Sequence, residues 1–302
     1  FPPYVILTKN QGYFDEIDSV TYNNLFITDV DSIKIWYIDD LGKIEKRDLE
    51  LFTDFSNPAT GEPISLYTVA DLDTSNFNNY EFSQSGRTYF LEIKWNGEII
   101  SSSTTIPSVT ELDCLWVEKS ENGKEEYEYD IRALYSDPAD QNNFILVKSK
   151  RIQHYEKEDS IGCQVINIPD FSLKIIDAGA DVLINGQTFE TYFPRPRDNG
   201  FPTGKYNGYH KKECQGDSIE FLKDLVLIKY CQIDEASLKF WRGLIRQVGT
   251  NGNPFAEPLN LVSNVTNGLG IFSGYGSAYY LVPIVEGTVI DEQHTPALID
   301  IF

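Results

Sequence analysis

The sequence is poor in basic residues and histidine, and it has no methionine. It holds 25 Lys and Arg against 46 Asp and Glu, which gives a net charge of −21. A surface this negative repels phosphate groups, so the composition disfavours nucleic acid and anionic membrane surfaces as general partners. No run of 18 apolar residues occurs, so we expect no segment to cross a bilayer as a helix.

The common catalytic and metal-binding motifs are also missing from the sequence. The three histidines, His154, His210 and His294, form no HExxH or other paired spacing, and there is no CxxC pair. Both observations disfavour a zinc site. The sequence has no Walker loop, no GxGxxG between a strand and a helix, and no GxSxG elbow. We therefore expect a non-enzymatic protein with no cofactor and no functional metal.

One segment begins like a calcium-binding loop. Asp71 and Asp73 place carboxylates at alternate positions, as such a loop requires. However, Asn76 replaces the glycine expected at the sixth position, and Phe82 replaces the glutamate expected at the twelfth. These departures favour a solvated loop, with Asp71 and Asp73 as the remaining calcium candidates.

Apolar residues, by contrast, are plentiful at 41% of the chain, enough to build a sizeable core. Apolar and polar positions alternate along many short segments, including 32–38 (SIKIWYI) and 89–95, which predicts strands. The pair Asn96-Gly97 follows the second segment and is a strong hairpin signal. The pattern predicts an all-β fold, with an immunoglobulin- or transthyretin-like β-sandwich over residues 1–107.

A larger β domain is expected over residues 108–302. It would follow the Ser- and Thr-rich segment 101–108, whose proline marks the domain boundary. This domain is predicted to contain one amphipathic helix over 234–248, with Asp234 as its N-cap and Gly249 as its stop. Apolar residues recur in the helix at three- and four-residue spacing, so one face would pack on the sheet.

The four cysteines allow three sets of disulfide pairings. Cys214 and Cys231 are the nearest pair in sequence, and a bridge between them would contribute about 3 kcal/mol. We predict this bridge, with Cys114 and Cys163 as the second pair. Buried free thiols are the alternative.

The most distinctive run lies in the C-terminal third of the chain. It consists of 252–258 (GNPFAEP), 263–265 (SNV) and 267–275 (NGLGIFSGY). With the acidic-proline turn at 136–144 and the Asn-Gly turn at 184–187, it resembles the signature of a Bacteroidota outer-membrane lipoprotein family of unknown function. Members of that family are typically encoded beside TonB-dependent transporters. Two further segments resemble its N-terminal sandwich, namely 3–8 and 86–91.

The signature loop, residues 252–276, also has a physical interpretation. Pro254 and Pro258 bracket an extended segment and keep it out of a helix. The glycines that follow permit backbone turns, and Leu269 and Phe272 would dock the segment on the core. We expect this loop to define the fold rather than to bind a ligand, although loops also carry function.

The resemblance implies a non-enzymatic outer-membrane lipoprotein at the cell surface or the periplasmic face. It would be held by an N-terminal lipid anchor that is not present in this sequence. The implied role is an accessory or substrate-capture partner of a TonB-dependent β-barrel transporter. The alternative is a structural accessory subunit of another outer-membrane complex, with no small ligand of its own. Several aromatic faces in one cleft would indicate capture, and one flat patch would indicate a structural subunit.

The candidate contact surface for this partner is an aromatic-rich region around the Gly- and Pro-rich segment 194–208. This region has more aromatic side chains than a free solvent loop needs. The alternative is that these side chains fold back onto the core of the second domain. The candidates are Tyr192, Phe193, Phe201, Tyr206 and Tyr209.

Overall fold

The computed structural model describes residues 1–10, 18–56, 63–71, 80–120, 129–139, 142–159, 162–169, 173–181, 185–194, 224–249 and 260–297. These ranges contain fifteen strands and two helices, and every strand pairing with a defined register is antiparallel. The predicted all-β fold is therefore confirmed. In chain order the elements are β1 (Tyr4–Val5), α1 (Ser19–Leu25), β2 (Ser32–Ile38), β3 (Ile44–Ser56), β4 (Pro63–Val69), β5 (Thr88–Trp95), β6 (Glu98–Thr105), β7 (Cys114–Lys119), β8 (Tyr129–Ser136), β9 (Phe144–Asp159), β10 (Gly162–Pro169), β11 (Lys174–Ala180), β12 (Thr188–Phe193), β13 (Asp224–Ile233), α2 (Glu235–Gly249), β14 (Gly276–Pro283) and β15 (Val289–Ile290).

The chain divides into two compact units, and the first of them is discontinuous in sequence. The first unit comprises Phe1–Ser108 and Ile233–Tyr275, and the second comprises Val109–Gln232 and Gly276–Phe302. The helix and most of the signature loop, which the sequence analysis places in the second domain, thus group with the N-terminal residues. The reason is their hydrogen bonding to β6, described below.

The first unit is built on one six-stranded sheet with the order β1-β4-β3-β2-β5-β6. Alternate residues of its strands, such as Ile33, Ile35 and Leu91, form a buried core on one face. Phe272 of the signature loop packs against this core. Among the described residues, all strands of this unit belong to that one sheet, whereas the sequence predicted a two-sheet sandwich here. Alternation reveals a buried face, but it does not reveal what covers that face.

The predicted hairpin at Asn96-Gly97 is present between β5 and β6. Both turn residues have positive φ, 52° for Asn96 and 79° for Gly97, as a two-residue type I′ turn requires. β6 then continues to Thr105 and is an edge strand of the sheet. The serine-rich stretch expected to be a domain boundary is therefore largely strand.

The second unit is a β-sandwich. One sheet has the order β10-β9-β13-β14 with β11 also paired to β9, and the other has the order β12-β8-β7-β15. The inner faces of both sheets contribute to one buried core. Its fully buried members include Leu115 and Ile131 from one sheet and Val226, Ile228 and Tyr280 from the other.

The predicted helix is confirmed as α2, one residue away from the expected bounds. The Asp234 carboxylate accepts a hydrogen bond of 2.7 Å from the Ser237 backbone amide, which is the expected N-cap. Leu238 is buried, whereas Lys239 and Glu235 form an exposed ion pair at 2.7 Å. The strands on either side of this insertion, β13 and β14, are direct neighbours in the second unit.

Candidate functional site

The structure separates the two described aromatic candidates. Tyr192 and Phe193 are consecutive in β12, and consecutive strand residues point to opposite faces. Tyr192 is half exposed, and the Arg132 guanidinium lies 5.9 Å from its ring centroid. Phe193 is buried against Tyr230, with ring centroids 6.3 Å apart, so it is a core residue. The other three candidates lie outside the described residues, namely Phe201, Tyr206 and Tyr209.

The calcium candidates remain a prediction. Asp71 is exposed and accepts a hydrogen bond of 3.4 Å from the Tyr80 hydroxyl, and Asp73 lies outside the described residues. Within the described part of the chain, no three His, Cys, Asp or Glu side chains come together as metal ligands would.

The cysteines differ from the predicted pairing. Among the described residues, Cys114 and Cys231 are free thiols, so neither predicted bridge is formed in the structure. Cys231 is fully buried on β13, and its sulfur accepts a hydrogen bond of 3.3 Å from the Ser277 hydroxyl on the neighbouring strand. Cys214 and the side chain of Cys163 lie outside the described residues.

The described part of the signature loop, 260–275, is held by two polar side chains. The Asn264 amide donates to the Phe272 carbonyl at 2.8 Å and accepts from the Phe272 backbone amide at 2.9 Å. The Ser263 hydroxyl accepts from the backbone amides of Val265 at 3.1 Å and Gly270 at 3.2 Å. These bonds replace strand pairing and fix the path of the loop.

The same loop binds the edge strand β6 and the start of α2. Thr266 and Ser101 exchange two backbone hydrogen bonds of 2.8 and 3.2 Å. The Gly274 amide donates to the Thr104 hydroxyl, which in turn donates to the Asp234 carboxylate, both at 2.8 Å. The signature residues therefore cover an edge strand and attach the helix to it, which is a structural role.

The two other turns that carry the resemblance meet in the second unit. The buried Asp137 carboxylate accepts hydrogen bonds from the Gly186 amide at 2.9 Å, the Asn143 side chain at 2.9 Å and the Tyr135 hydroxyl at 3.2 Å. Burial, and then the nearby Asp137 charge, raise the pKa of Tyr135 to about 12. Gly186 has a φ of +73°, and a Cβ there would lie 2.9 Å from that of Ala139. These turns are likewise structural.

An apolar surface that the sequence analysis missed lies on the outer face of the first unit's sheet. Trp36 and Phe90 stack on this face, with ring centroids 5.7 Å apart and planes 21° apart. Beside them are Ile38, which is 53% exposed, and its cross-strand partner Ile44, which is 60% exposed. Leu41, at the tip of the same hairpin, is 93% exposed. We call these five residues the outer patch.

The β2–β3 hairpin, which carries four of the five outer-patch residues, is held by its own hydrogen bonds. The Asp39 carboxylate accepts from the backbone amides of Leu41 at 3.0 Å and Lys43 at 2.8 Å, and Gly42 adopts a φ of +78°. Leu41 is thus held outward by the turn. The sequence does carry a signal, since SIKIWYI has apolar residues on both faces of one strand.

These features define a class of protein: two all-β units, the first completed by a helix and a loop from later in the chain. No helix in the described ranges is long and apolar enough to cross a membrane. The chain belongs to the family described as Domain of unknown function (DUF4249), whose family model matches residues 5–280. No curated protein and no solved structure matches the chain.

Proposed function

We propose that the chain is a non-enzymatic outer-membrane lipoprotein that acts as an accessory or substrate-capture partner of a TonB-dependent β-barrel transporter. Two things support the proposal. The first is the resemblance of the signature run to the Bacteroidota lipoprotein family, and the second is one observation on the structure. That observation is the outer patch, a set of apolar side chains on the exposed face of a sheet.

The outer patch supports a protein partner rather than a small ligand. Single exposed apolar residues are ordinary, but a contiguous group of them marks an interaction surface. Aromatic residues are enriched at the centres of protein interfaces, and Trp36 with Phe90 fits that composition. A sheet face is also flat, whereas small-molecule sites are concave.

The charge of the chain supports a partner that keeps it at the membrane. At −21 the protein is repelled by anionic lipid headgroups. One lipid chain alone gives marginal, reversible binding, so a second attachment is needed for stable residence. In the proposal, a lipid anchor on the N-terminal side of the β1 strand supplies the first attachment and the barrel supplies the second.

The flat shape of the outer patch also supports a second candidate function, that of a structural subunit. A structural accessory subunit of another outer-membrane complex would need a protein-binding surface but no small ligand. The two candidate functions therefore differ in which outer-membrane protein co-purifies with the chain and in whether the chain itself binds a small molecule.

The test is to purify the native complex from membranes and identify the chains that co-purify. The test variant is Ile38→Ser with Ile44→Ser, and the control is Val289→Ser, an exposed apolar residue of the second unit. We expect a TonB-dependent barrel with the wild type and the control, and at least about tenfold less with the double variant, since about 1.4 kcal/mol of lost contact gives that factor.

The outcomes separate the function from the site. Recovery of no barrel protein with the wild type would refute the transporter partnership. Equal recovery with the double variant would leave the partnership standing and remove the outer patch as its contact. Recovery of a different outer-membrane complex would favour the structural subunit.

A further inference from the structure

Two hairpin turns in the sheet of the first unit differ in chemical character. Because β2 and β5 are antiparallel neighbours, the turn after β2 and the turn after β5 lie at opposite ends of the sheet, about 20 Å apart. The turn after β5 is the polar pair Asn96-Gly97, whereas the turn after β2 presents Leu41, which is 93% exposed. We call residues 39–43, the turn after β2, the apolar tip.

The apolar tip is closed by backbone as well as side-chain hydrogen bonds. The Asp39 amide donates to the Lys43 carbonyl, and the Gly42 amide donates to the Asp39 carbonyl, both at 2.9 Å. With the two bonds to the Asp39 carboxylate described above, four hydrogen bonds hold Leu41 outward. A side chain that is already held in place loses less conformational entropy when a partner binds it.

The shape of the apolar tip indicates the shape of the surface that it fits. Leu41 projects beyond the strands, and the exposed cross-strand pair Ile38 and Ile44 lies at its base. A flat surface would cover only one side of such a projection, whereas a pocket would remove most of its apolar area from water. The residues that dominate protein interfaces are those that fill well-packed, desolvated pockets.

The charge of the apolar tip indicates what surrounds that pocket. Lys43 and Glu45 form an ion pair, so their charges offset each other. Asp39 and Asp40 then leave two negative charges beside Leu41, and Asp40 is exposed. Potentials across a protein interface are complementary, so the matching rim is basic. An anionic lipid surface would repel the same two carboxylates.

We propose that the apolar tip inserts Leu41 into an apolar pocket of the protein partner, and that Lys or Arg side chains line the rim of this pocket. The pocket belongs to the barrel of the proposed function, on which this inference rests. The other residues of the outer patch lie against the partner surface beside the pocket.

The first test is photo-crosslinking in intact cells that contain the full chain and its membrane partners. A photo-crosslinking amino acid replaces Leu41 in one protein and Ile99 in another. Ile99 is an exposed apolar residue next to the polar turn at the opposite end of the sheet. We expect position 41 to crosslink to an apolar segment of the barrel flanked by Lys or Arg, and position 99 to form no such crosslink.

The outcomes of crosslinking separate the pocket from the partner. No crosslink from position 41, a crosslink to lipid, or equal crosslinking from both positions would overturn the pocket and leave the partnership to the co-purification test. A crosslink from position 41 to such a pocket in another protein would refute the barrel as the partner and keep the apolar tip as the contact.

The second test measures recovery of the barrel with substitutions at the tip and matched controls. Leu41→Ser should recover at least about tenfold less barrel, the factor expected for losing a buried leucine side chain. Asp40→Lys should recover about twofold to fivefold less at low salt, as for an exposed charge pair, and the deficit should narrow at high salt. The controls at the opposite end are Ile99→Ser and Glu98→Lys, also exposed, and both should match the wild type.

Thermal denaturation shows whether the four variants fold like the wild type, as their exposed positions predict. Recovery of the barrel at the wild-type level with Leu41→Ser would overturn the pocket. Wild-type recovery with Asp40→Lys at low salt would overturn its basic rim.

Discussion

The two large sheets depart from the usual distribution of side chains in opposite directions. Most sheets bury apolar residues and expose charged ones. The sheet of the first unit exposes Ile38 and Ile44 on its outer face, whereas the five-stranded sheet of the second unit buries Lys150 and Lys229 on its own. The difference shows that neither sheet follows the usual distribution on both of its faces. A contiguous exposed apolar face is the composition of a surface that binds a large partner.

The largest effect is expected from the polar turns of the second unit. Asp137→Ala leaves the Gly186 amide, the Asn143 amide and the Tyr135 hydroxyl without their acceptor. A buried donor without a partner costs about 1–3 kcal/mol, so we expect a loss of about 3–5 kcal/mol in the free energy of unfolding. Native-state hydrogen exchange should show lower protection in β8 and β12 and unchanged protection in β2 and β5.

The matched control is Asp113→Ala. Asp113 is exposed and accepts a hydrogen bond of 2.7 Å from the Ser136 hydroxyl, so its removal should cost less than about 1 kcal/mol. Equal losses in the free energy of unfolding for the two variants would show that the buried hydrogen bonds of Asp137 add no more stability than an exposed one.

A smaller effect is expected at the signature loop in the first unit. A Cβ at Gly274 would lie 2.8 Å from the Thr105 carbonyl oxygen and 2.9 Å from the Ile106 Cα, both backbone atoms. Gly274→Ala should therefore cost about 1–3 kcal/mol, the range for forced overpacking. Hydrogen exchange should speed up in β6 and α2. Gly179→Ala is the control because nothing lies within 4 Å of its Cβ, and a similar loss there would contradict the packing argument.

The burial of Lys148 predicts that stability rises with pH. The pKa of Lys148 is about 8 in the folded protein and 10.5 ordinarily, so between these values the unfolded chain holds the extra proton. Unfolding then becomes less favourable as pH rises from about 8 to about 10. Above about 10 the trend should reverse, because the pKa of buried Tyr135 and Tyr280 is raised to about 12 and only the unfolded tyrosines ionise.

Urea unfolding at a series of pH values checks this prediction. Lys148→Gln should reduce the rise in the free energy of unfolding between pH 8 and pH 10. It should leave the decrease above pH 10 unchanged. A wild-type protein whose stability is constant or falling across that interval would show that the lysine is not held in an unfavourable environment.

The smallest effect tests the two faces of a single strand. Ile35 is buried and Ile38 is exposed, both on β2. Ile35→Val should cost about 0.5–1.5 kcal/mol, and Ile38→Val should change the free energy of unfolding by less than about 0.5 kcal/mol. Thermal denaturation of both variants measures the difference. A comparable loss at Ile38 would mean that the outer patch already packs within the chain.

Local features of the fold were predictable from sequence. The strand at 32–38, the hairpin at Asn96-Gly97 and the helix capped by Asp234 each depend on residues close together in the chain. The partition into two units was not predictable from sequence, because β13 and β14 pair with each other across the whole inserted segment. Such long-range pairing is decided by which faces bury one another, and a local pattern does not encode that.

The candidate sites were less predictable than the fold. The aromatic richness of the region placed Tyr192 and Phe193 together as candidates, although strand geometry sends them to opposite faces. The buried lysines of the five-stranded sheet were not predicted, because they come from β9 and β13, about 80 residues apart by the spacing of Lys148 and Lys229. A single lysine in a strand carries no signal of burial.

The discontinuity of the first unit has a consequence for the order of events on the ribosome. The strands of its sheet are complete at Thr105, yet the segment that covers β6 emerges only after Gly274 has been made. For the time needed to synthesise the intervening residues, the nascent chain carries an unprotected strand edge. If synthesis ended prematurely near Ser108, the released chain would keep the edge of β6 permanently exposed. The signature loop is thus the last step of assembly for the domain that is translated first.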